Sequence, residues 1–416
     1  MIVSAQGEHE ALLAPIKIIL RDPLLRLIVA ALFLTSVAVS SVMPYASLVA
    51  VELLGLTDAA YSAVLAASSA IMVVASVVVG IVTDQQANRR QMLAVSFAFA
   101  AAGYSLVFLT GSPVTFVIAH TALLPLGFSV FSQLFALARL AGRKRGGAHA
   151  DQIFAVARAA FSLGFVITPP LWSVALASGT ALLGVYVSAA ASALVCFLLF
   201  AIAWPQGEAG QLADPKSGLR FAAAFRELAR PGLLVRMLAV GLITGSNQLY
   251  MALFGLLIVT DIGGGTPDVG RFHGAIALLE IPFMLACGLA LKRMSKPALI
   301  AAGGVVYAGF LFLFASVSSM AVAYLLVVPA AIGAAIILSV TISYLQDLLA
   351  DRPGAGGSLM AVSNFFGHMV AALTFAAGTA VTSYAGTAVA GGMLALVGVA
   401  VLLAMDGLRR TEPADA

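Results

Sequence analysis

Residues Gly274–Gly288 read GAIALLEIPFMLACG, an apolar run that holds a single carboxylate, Glu280. The flanking basic residues are Arg271, nine positions before Glu280, and Lys292, twelve positions after it. At about 1.5 Å of rise per residue, a helix over this run places the carboxylate near the middle of a bilayer. An acidic residue at that depth costs roughly 2.5–3.5 kcal/mol, so we expect Glu280 to face protein or a water-filled cavity, or to be protonated.

The rest of the chain shares this apolar character. Its 416 residues are 62% hydrophobic and 10% charged, whereas soluble domains carry about 25% charged residues. Apolar runs of spanning length recur at 27–51, 60–82, 92–111, 114–138, 152–175, 180–204, 234–260, 270–291, 298–316, 320–346, 357–381 and 386–405. The pattern predicts an all-α membrane protein with twelve transmembrane helices in two pseudo-symmetric six-helix bundles.

A polar stretch between the sixth and seventh runs suggests the domain organisation. We predict a cytoplasmic N-terminal segment at 1–26, an N-terminal bundle at 27–204, a cytoplasmic linker with a short amphipathic helix at 205–233, a C-terminal bundle at 234–406 and a cytoplasmic tail at 407–416. With both termini in the cytoplasm, twenty of the 22 Lys and Arg residues fall in inside segments; the exceptions are Arg158 and Arg271. The positive-inside rule therefore favours this orientation.

The loop between the second and third runs carries the first recognisable motif. Gly80–Arg90 reads GIVTDQQANRR, in which the glycine permits close helix approach and the arginines can pair with Asp84 or with nearby carbonyls. It resembles the G-x-x-x-D-x-x-x-x-R-R loop of the major facilitator superfamily, which acts as a conformational latch, although Gln85 and Ala87 stand where Arg and Gly are usual. The alternative is an ordinary positive-inside loop. The resemblance assigns the latch to Gly80, Asp84, Arg89 and Arg90.

Further motifs, taken in chain order, look like those of the sugar efflux transporter family of that superfamily. They are QLFALAR at 133–139, an arginine and then a proline pair in the fifth run, NQLY at 247–250, LEIP at 279–282 and QDL at 346–348. The resemblance implies the major facilitator fold and a monomer in the bacterial inner membrane that exports small sugars or glycosides in exchange for protons. The chain departs from the family at Thr168, where Gly is common, and at Leu253, where family members carry an acid.

Proton coupling is assigned to Glu280, since it is the only acid deep in any apolar run. The alternative is a neutral structural acid hydrogen-bonded inside the bundle. His273 lies two helical turns earlier and is a candidate relay, or an interfacial histidine without a role. Arg158 is either a cavity residue that contacts substrate and forms a switching contact with Glu280, or an arginine whose long side chain snorkels to the membrane interface. Additive transport losses on removing both charges would contradict a direct contact between Arg158 and Glu280.

Amides, hydroxyls and aromatic rings at helical spacing suit a sugar, because they hydrogen-bond to hydroxyls and stack on the apolar face of the ring. Taken singly, each is better explained by hydrogen bonding between packed helices. In the superfamily, helices one, four, seven and ten line the cavity. This placement favours a substrate-binding role for the candidate residues of the fourth and seventh runs. The candidate substrate-binding residues are Tyr45, Gln133, Arg158, Asn247, Tyr250, Asn364 and His368.

The alternatives to a sugar exporter are a multidrug/proton antiporter and, from another class, a membrane-embedded enzyme or receptor. A multidrug/proton antiporter of the same fold would need a wide and more apolar cavity, which Met251 and Leu253 favour slightly. An enzyme is not expected, because the chain has no H-E-x-x-H, G-x-S-x-G or P-loop sequence, and its five histidines lack metal-ligand spacing. We expect no cofactor, no metal and no nucleic-acid partner; the expected partners are a small sugar or glycoside, protons and the lipid bilayer.

Overall fold

The computed structural model describes residues 14–86, 89–205, 230–348 and 356–407. Within these ranges no residue lies in a strand, and twelve helices are long and apolar enough to cross a membrane. We number them α1 to α12. They are α1 Pro23–Val42, extended by short turns to Leu53; α2 Asp58–Gln86; α3 Arg89–Thr110; α4 Pro113–Ile118 and Leu124–Gly146; α5 Ala150–Ala177; α6 Gly184–Ile202; α7 Pro231–Leu256; α8 Thr266–Ala290; α9 Lys296–Phe314; α10 Met320–Leu325 and Val327–Asp347; α11 Gly356–Val381; and α12 Tyr384–Asp406.

The twelve predicted spans are confirmed. The observed ends lie within about four residues of the predicted ones, except that α4 continues past its predicted end at 138 through a basic segment to Gly146. One helical segment was not predicted: residues 14–21 form a helix before α1. Asp22 follows it and accepts hydrogen bonds from the backbone amides of Leu24 and Leu25, both at 2.9 Å, so it caps the start of α1. The amphipathic helix predicted in the linker and most of the predicted tail lie outside the described residues.

Three of the spans contain irregular turns. The chain passes from α1 through a 3-10 turn at Met43–Tyr45 and a π-helical turn at Val49–Leu53. Pro44 lies in the first of these turns, and its missing N–H removes one bond of the helical ladder. Further π-helical turns occur at Ala119–Leu123 in α4 and at Leu257–Asp261 after α7.

The chain forms two compact units. Unit 1 comprises Met1–Val42, Val74–Thr168 and Leu183–Lys216, and unit 2 comprises Met43–Val73, Pro169–Leu182 and Ser217–Ala416. The division passes within α1, α2 and α5, and in α1 and α5 it falls next to prolines. The late part of α1, the early part of α2 and the late part of α5 therefore belong to the same compact unit as α7 to α12. Two separate six-helix domains remain a prediction.

Each unit has its own apolar interior. In unit 1, Leu24, Phe97, Leu134 and Phe200 are buried in one continuous hydrophobic cluster drawn from α1, α3, α4 and α6. In unit 2, α7 is the most enclosed span, with 72% of its apolar window buried. A helix enclosed to that degree holds its polar side chains inside protein, so α7 is the scaffold on which the candidate site of unit 2 is built.

Candidate functional site

The site in unit 2 begins with a hydrogen bond between α7 and α9. The side-chain amide of Asn247 is 7% exposed and donates from Nδ2 to the hydroxyl of Tyr307 at 2.9 Å. Tyr307 is held against Gly333 of α10, where a Cβ would lie 2.8 Å from the Tyr307 Cβ. The interhelical bond that was the alternative explanation for Asn247 is therefore present. Substrate binding by Asn247 stays a prediction.

Tyr250 lies one turn after Asn247 at the centre of an aromatic cluster. Its ring stacks on Phe254 with centroids 5.0 Å apart and meets Tyr307, Phe310 and Phe314 edge-on at 5.3–6.2 Å. The residue is 2% exposed, and its hydroxyl has no hydrogen-bond partner among the described residues. The ring is thus held in place by its neighbours, while its hydroxyl is left for another partner.

His273 of α8 faces the same cluster. Its imidazole lies 5.6 Å from the Phe254 ring, tilted by 31°, and the residue is 5% exposed. Neither ring nitrogen finds a hydrogen-bond partner in the described part of the chain. The structure therefore buries His273 beside the aromatic face of α7 instead of leaving it at an interface. A role in proton relay remains a prediction.

Glu280 lies two turns further along α8, about 10.5 Å from His273 along the helix axis. Pro282, two residues later, lies inside the helix and leaves the carbonyl of Leu278 without its usual helical donor. No described side chain forms a hydrogen bond or ion pair with Glu280, so the structure does not show the hydrogen-bonded structural acid of the alternative explanation.

The C-terminal parts of α1 and α5 pack closely against α8 at two of its glycines. A Cβ on Gly270 would overlap both the carbonyl oxygen of Pro169 and the hydroxyl of Tyr45, and a Cβ on Gly274 would overlap the ring of Pro170. Tyr45 is fully buried, and its hydroxyl has no hydrogen-bond partner within the described ranges. Only a glycine at position 270 admits these two neighbours together.

A second contact in unit 2 joins α2 to α11 and α12. The hydroxyl of Tyr384 donates to the carboxylate of Asp58 at 2.9 Å. Beside it, Tyr61 meets Phe375 edge-on with centroids 5.6 Å apart. The start of α2 is therefore held on the C-terminal helices by one polar and one aromatic contact.

Buried polar atoms without partners are unevenly distributed. In the described residues they are the Tyr45, Tyr250 and Tyr324 hydroxyls, the Ser47 and Ser173 hydroxyls, both His273 nitrogens and the Gln133 Oε1. All but the last lie in unit 2. Since an unpartnered buried polar group costs about 1–3 kcal/mol, such a concentration is typical of a site whose partners are water or a polar ligand.

Gln133 and Arg158 lie in unit 1. Gln133 of α4 is 8% exposed, and its Nε2 donates to the backbone carbonyl of Ser129 at 3.3 Å while Oε1 stays unpartnered. Arg158 of α5 has an exposed side chain. Its roles in substrate binding and proton coupling, and its contact with Glu280, remain predictions.

Asn364 and His368 share one face of α11, as their spacing predicts. The ring Nδ1 of His368 donates to the backbone carbonyl of Asn364 at 2.8 Å, and the Asn364 side chain is exposed. This bond uses one imidazole nitrogen within the helix itself. No described hydrogen bond or ring contact joins either residue to Tyr250 or its aromatic neighbours, and substrate binding by them remains a prediction.

The structure describes the contacts of Arg90, one of the residues assigned to the latch, while the latch itself remains a prediction. Arg90 donates from Nε to the carbonyl of Phe200 at 3.0 Å and from its terminal nitrogen to the carbonyl of Ala201. These are among the last carbonyls of α6, which lack helical donors and attract a cation. Arg90 therefore caps α6, one of the two pairings that the sequence allowed. The side chains of Gly80 and Asp84 lie outside the described part.

No group of three or more His, Cys, Asp or Glu side chains is placed to hold a metal in the residues that the structure describes. The two cysteines, Cys196 and Cys287, are buried and free. The cluster around Tyr250 instead offers hydroxyls, an imidazole, an amide and aromatic faces. These groups suit a neutral polar ligand that presents hydroxyls on one side and C–H surface on another.

Tyr307 was missed by the sequence reasoning. It stands in an apolar run without polar neighbours at helical spacing, so nothing local marks it. Its partner, Asn247, was singled out, but the contact depends on how α7 and α9 are rotated about their axes. The one available signal was the hydroxyl itself, because a buried tyrosine usually finds a partner for it.

Comparison with known proteins gives matches of two kinds. Residues 3–150 match the family model described as Major Facilitator Superfamily. Over 336 residues the chain is 29% identical to sugar efflux transporter A of Dickeya chrysanthemi, which covers 79% of this chain and 82% of the relative. Over 237 residues it is 31% identical to sugar efflux transporter B of Salmonella typhimurium, covering 56% of this chain and 58% of the relative.

Among solved structures, the chain resembles the crystal structure of the nucleoside transporter NupG. The TM-score is 0.77 at 15% sequence identity, covering 92% of this chain and 98% of that one. At this identity the likeness shows a shared fold alone.

Proposed function

We propose that the chain belongs to the sugar efflux transporter family of the major facilitator superfamily and that it exports small sugars or glycosides by proton antiport. It is a multi-pass membrane protein with the predicted fold, and both family and fold are those of a transporter rather than an enzyme. We place it in the bacterial inner membrane with both termini in the cytoplasm, because that orientation satisfies the positive-inside rule.

The observation that carries the sugar proposal is the cluster of unpartnered polar atoms beside aromatic faces in unit 2. Tyr45, Tyr250 and His273 bring hydroxyls and ring nitrogens without partners among the described residues, and Tyr250 and Phe254 bring stacked rings. A sugar hydroxyl both donates and accepts hydrogen bonds, so it can satisfy either kind of group. A lipophilic cation would leave these polar atoms unpartnered.

Glu280 is the proposed proton carrier. It lies near the middle of α8, and no described cation neutralises it. In apolar surroundings the protonated form is favoured, and when water or a polar ligand reaches the carboxylate the ionised form gains. Proton release can therefore be coupled to opening of the site without any further charged group.

The contacts of α8 with the late parts of α1 and α5 serve as the proposed gate for alternating access. They consist of a glycine surface, Gly270 and Gly274, against Tyr45 and the Pro169–Pro170 pair, together with the Tyr384–Asp58 hydrogen bond. In the proposed orientation this gate is on the outer side. Alternation between an inward-facing and an outward-facing conformation requires these contacts to break and re-form in each transport cycle.

The proposal is tested by counterflow in proteoliposomes that contain the full chain. Labelled glucose and lactose are compared with the lipophilic cation tetraphenylphosphonium, with and without a pH gradient. We expect sugar counterflow without a gradient and accumulation against a concentration difference when a gradient is applied. Transport of the cation alone would favour the multidrug alternative and contradict the sugar proposal. Sugar transport that ignores the gradient would contradict proton antiport.

A further inference from the structure

The helix at residues 14–21 is anchored on unit 1 by one face and leaves an apolar face open. Pro15 and Ile19 are buried, and Ile19 belongs to the hydrophobic cluster of unit 1. Ile16 and Leu20 are 41% and 60% exposed. Because residues four apart share one side of a helix, the exposed pair forms an apolar stripe beside the buried pair. Such a stripe is unfavourable in water and is accepted by a bilayer.

Two cations occupy the next face of the same helix. The side chains of Lys17 and Arg21 are exposed, and neither forms an ion pair or a hydrogen bond with another described residue. Asp22, the next residue along the chain, is already engaged. Its Oδ1 caps α1, and its Oδ2 is bound by Arg145 of α4 at 2.5 Å. The helix therefore presents two positive charges that the described part of the chain does not compensate.

The ion pair between Asp22 and Arg145 brings the end of α4 next to this helix. The two side chains are 18% and 17% exposed, so the contact is partly shielded from solvent. Arg143, two residues before Arg145, is exposed, as is Arg26 in the first turn of α1. Neither has an ionic partner within the described ranges. We call this set the basic surface of unit 1; it consists of Lys17, Arg21, Arg26 and Arg143.

A tryptophan marks the level of the basic surface relative to the bilayer. Trp204 lies two residues after the end of α6, packs against the hydrophobic cluster that contains Ile19, and has its ring 5.7 Å from that of Phe200. Tryptophan is enriched at membrane–water interfaces. The membrane span of α1 begins at Pro23, directly after the helix at 14–21. The basic surface and the apolar stripe therefore lie at a membrane boundary, where lipid phosphates are found.

We propose that the basic surface of unit 1 and the apolar stripe of Ile16 and Leu20 form a binding site for an anionic phospholipid. Guanidinium and ammonium groups bind the phosphate oxygens of the headgroup, and the stripe packs on the acyl chains. Juxtamembrane clusters of Lys and Arg attract anionic lipids. In the proposed orientation the lipid belongs to the cytoplasmic leaflet. Such a site is independent of which substrate the chain exports.

Lipid binding is measured by native mass spectrometry on the full chain purified in dodecyl maltoside. The probes are dioleoylphosphatidylglycerol and dioleoylphosphatidylcholine, which share acyl chains and differ in headgroup charge. We expect wild type to bind the phosphatidylglycerol about tenfold more tightly, and Lys17→Gln/Arg21→Gln to lose most of this preference. Glutamine keeps the helix propensity of the two positions. The matched control is Lys292→Gln/Arg293→Gln, which removes two exposed cations after α8 in unit 2 and should keep the preference.

A second variant tests the apolar part of the site. Ile16→Gln/Leu20→Gln replaces two exposed side chains, so the fold should survive, and cooperative thermal unfolding checks this for every variant. We expect this variant to bind both lipids about threefold more weakly. Glycerol 3-phosphate carries the phosphate without acyl chains, so it should not displace the phosphatidylglycerol from wild type.

Three outcomes would overturn the lipid site. The first is equal binding of the two phospholipids to wild type. The second is an unchanged preference for phosphatidylglycerol in Lys17→Gln/Arg21→Gln, which would place the bound lipid elsewhere on the chain. The third is displacement of the phosphatidylglycerol by glycerol 3-phosphate, which would mark a site for a soluble anion. None of these results bears on sugar export, which the counterflow experiment tests separately.

Discussion

Two histidines of this chain show how differently the two compact units treat polar groups. In unit 1, His120 stacks on Phe116 at 4.0 Å and shares a 2.8 Å hydrogen bond with Tyr186. In unit 2, His273 lies against Phe254 at 5.6 Å, and neither nitrogen has a partner among the described residues. Both imidazoles contact an aromatic ring, yet only one is satisfied by the chain itself. The buried polar atoms that lack a partner among the described residues are thus concentrated in unit 2.

The largest effect is expected at Glu280. Glu280→Gln keeps the shape of the side chain and removes the titrating group, so gradient-driven sugar accumulation should fall by more than about tenfold while counterflow continues. Measurement of both activities in one proteoliposome preparation checks this. Glu52→Gln, which changes an exposed carboxylate at the end of α1, is the control and should transport like wild type. Retention of full gradient-driven transport in Glu280→Gln would remove the proton carrier from the proposal.

The two histidines are to be exchanged for asparagine in parallel. His273→Asn removes a group assigned to the substrate site, and we expect sugar affinity to fall by about tenfold with little change in unfolding temperature. His120→Asn removes the partner of Tyr186, so it should lower the free energy of unfolding by about 1 kcal/mol and leave affinity unchanged. Binding titrations and thermal unfolding in detergent decide between these results. A loss of stability in His273→Asn together with a loss of affinity in His120→Asn would show that the difference between the two units has no functional meaning.

A smaller effect is expected from crowding the proposed gate. Gly270→Ala places a methyl group where Pro169 and Tyr45 already lie, so the gate should fail to close and transport should slow by about fivefold. Gly288→Ala on the same helix is the matched control, because a Cβ there meets nothing within 4 Å. Initial rates of counterflow for the two variants give the answer. Equal rates would mean that α8 and α5 need not come this close during transport.

The smallest effect is expected in unit 1, at the one described residue there with an unpartnered buried polar atom. Gln133→Met preserves length and removes both polar atoms, so sugar affinity should fall by about threefold. Equilibrium binding of glucose or lactose measures the change. A loss as large as that in His273→Asn would show that unit 1 contributes to recognition as strongly as unit 2.

Much of the fold was accessible from sequence, and less of the site. The twelve spans follow from apolar length, because each apolar run is long enough to cross a membrane. The burial of His273 and the partner of Asn247 could not be predicted, because both depend on how neighbouring helices are rotated. Tyr307 is the clearest case, since a single tyrosine in an apolar run carries no periodic signal. The prediction that Glu280 lies deep in a helix needed only the distance to its flanking charges.

The prolines at which α1 and α5 change from one unit to the other have a consequence for the speed of transport. Pro44, Pro169 and Pro170 each lack the N–H that would bond four residues back, so bending at these points breaks fewer backbone hydrogen bonds than bending elsewhere in α1 and α5. The energy barrier to such bending should therefore be low in enthalpy. The temperature dependence of sugar counterflow should then come mainly from the gate contacts that break and re-form in each cycle, such as the Tyr384–Asp58 hydrogen bond.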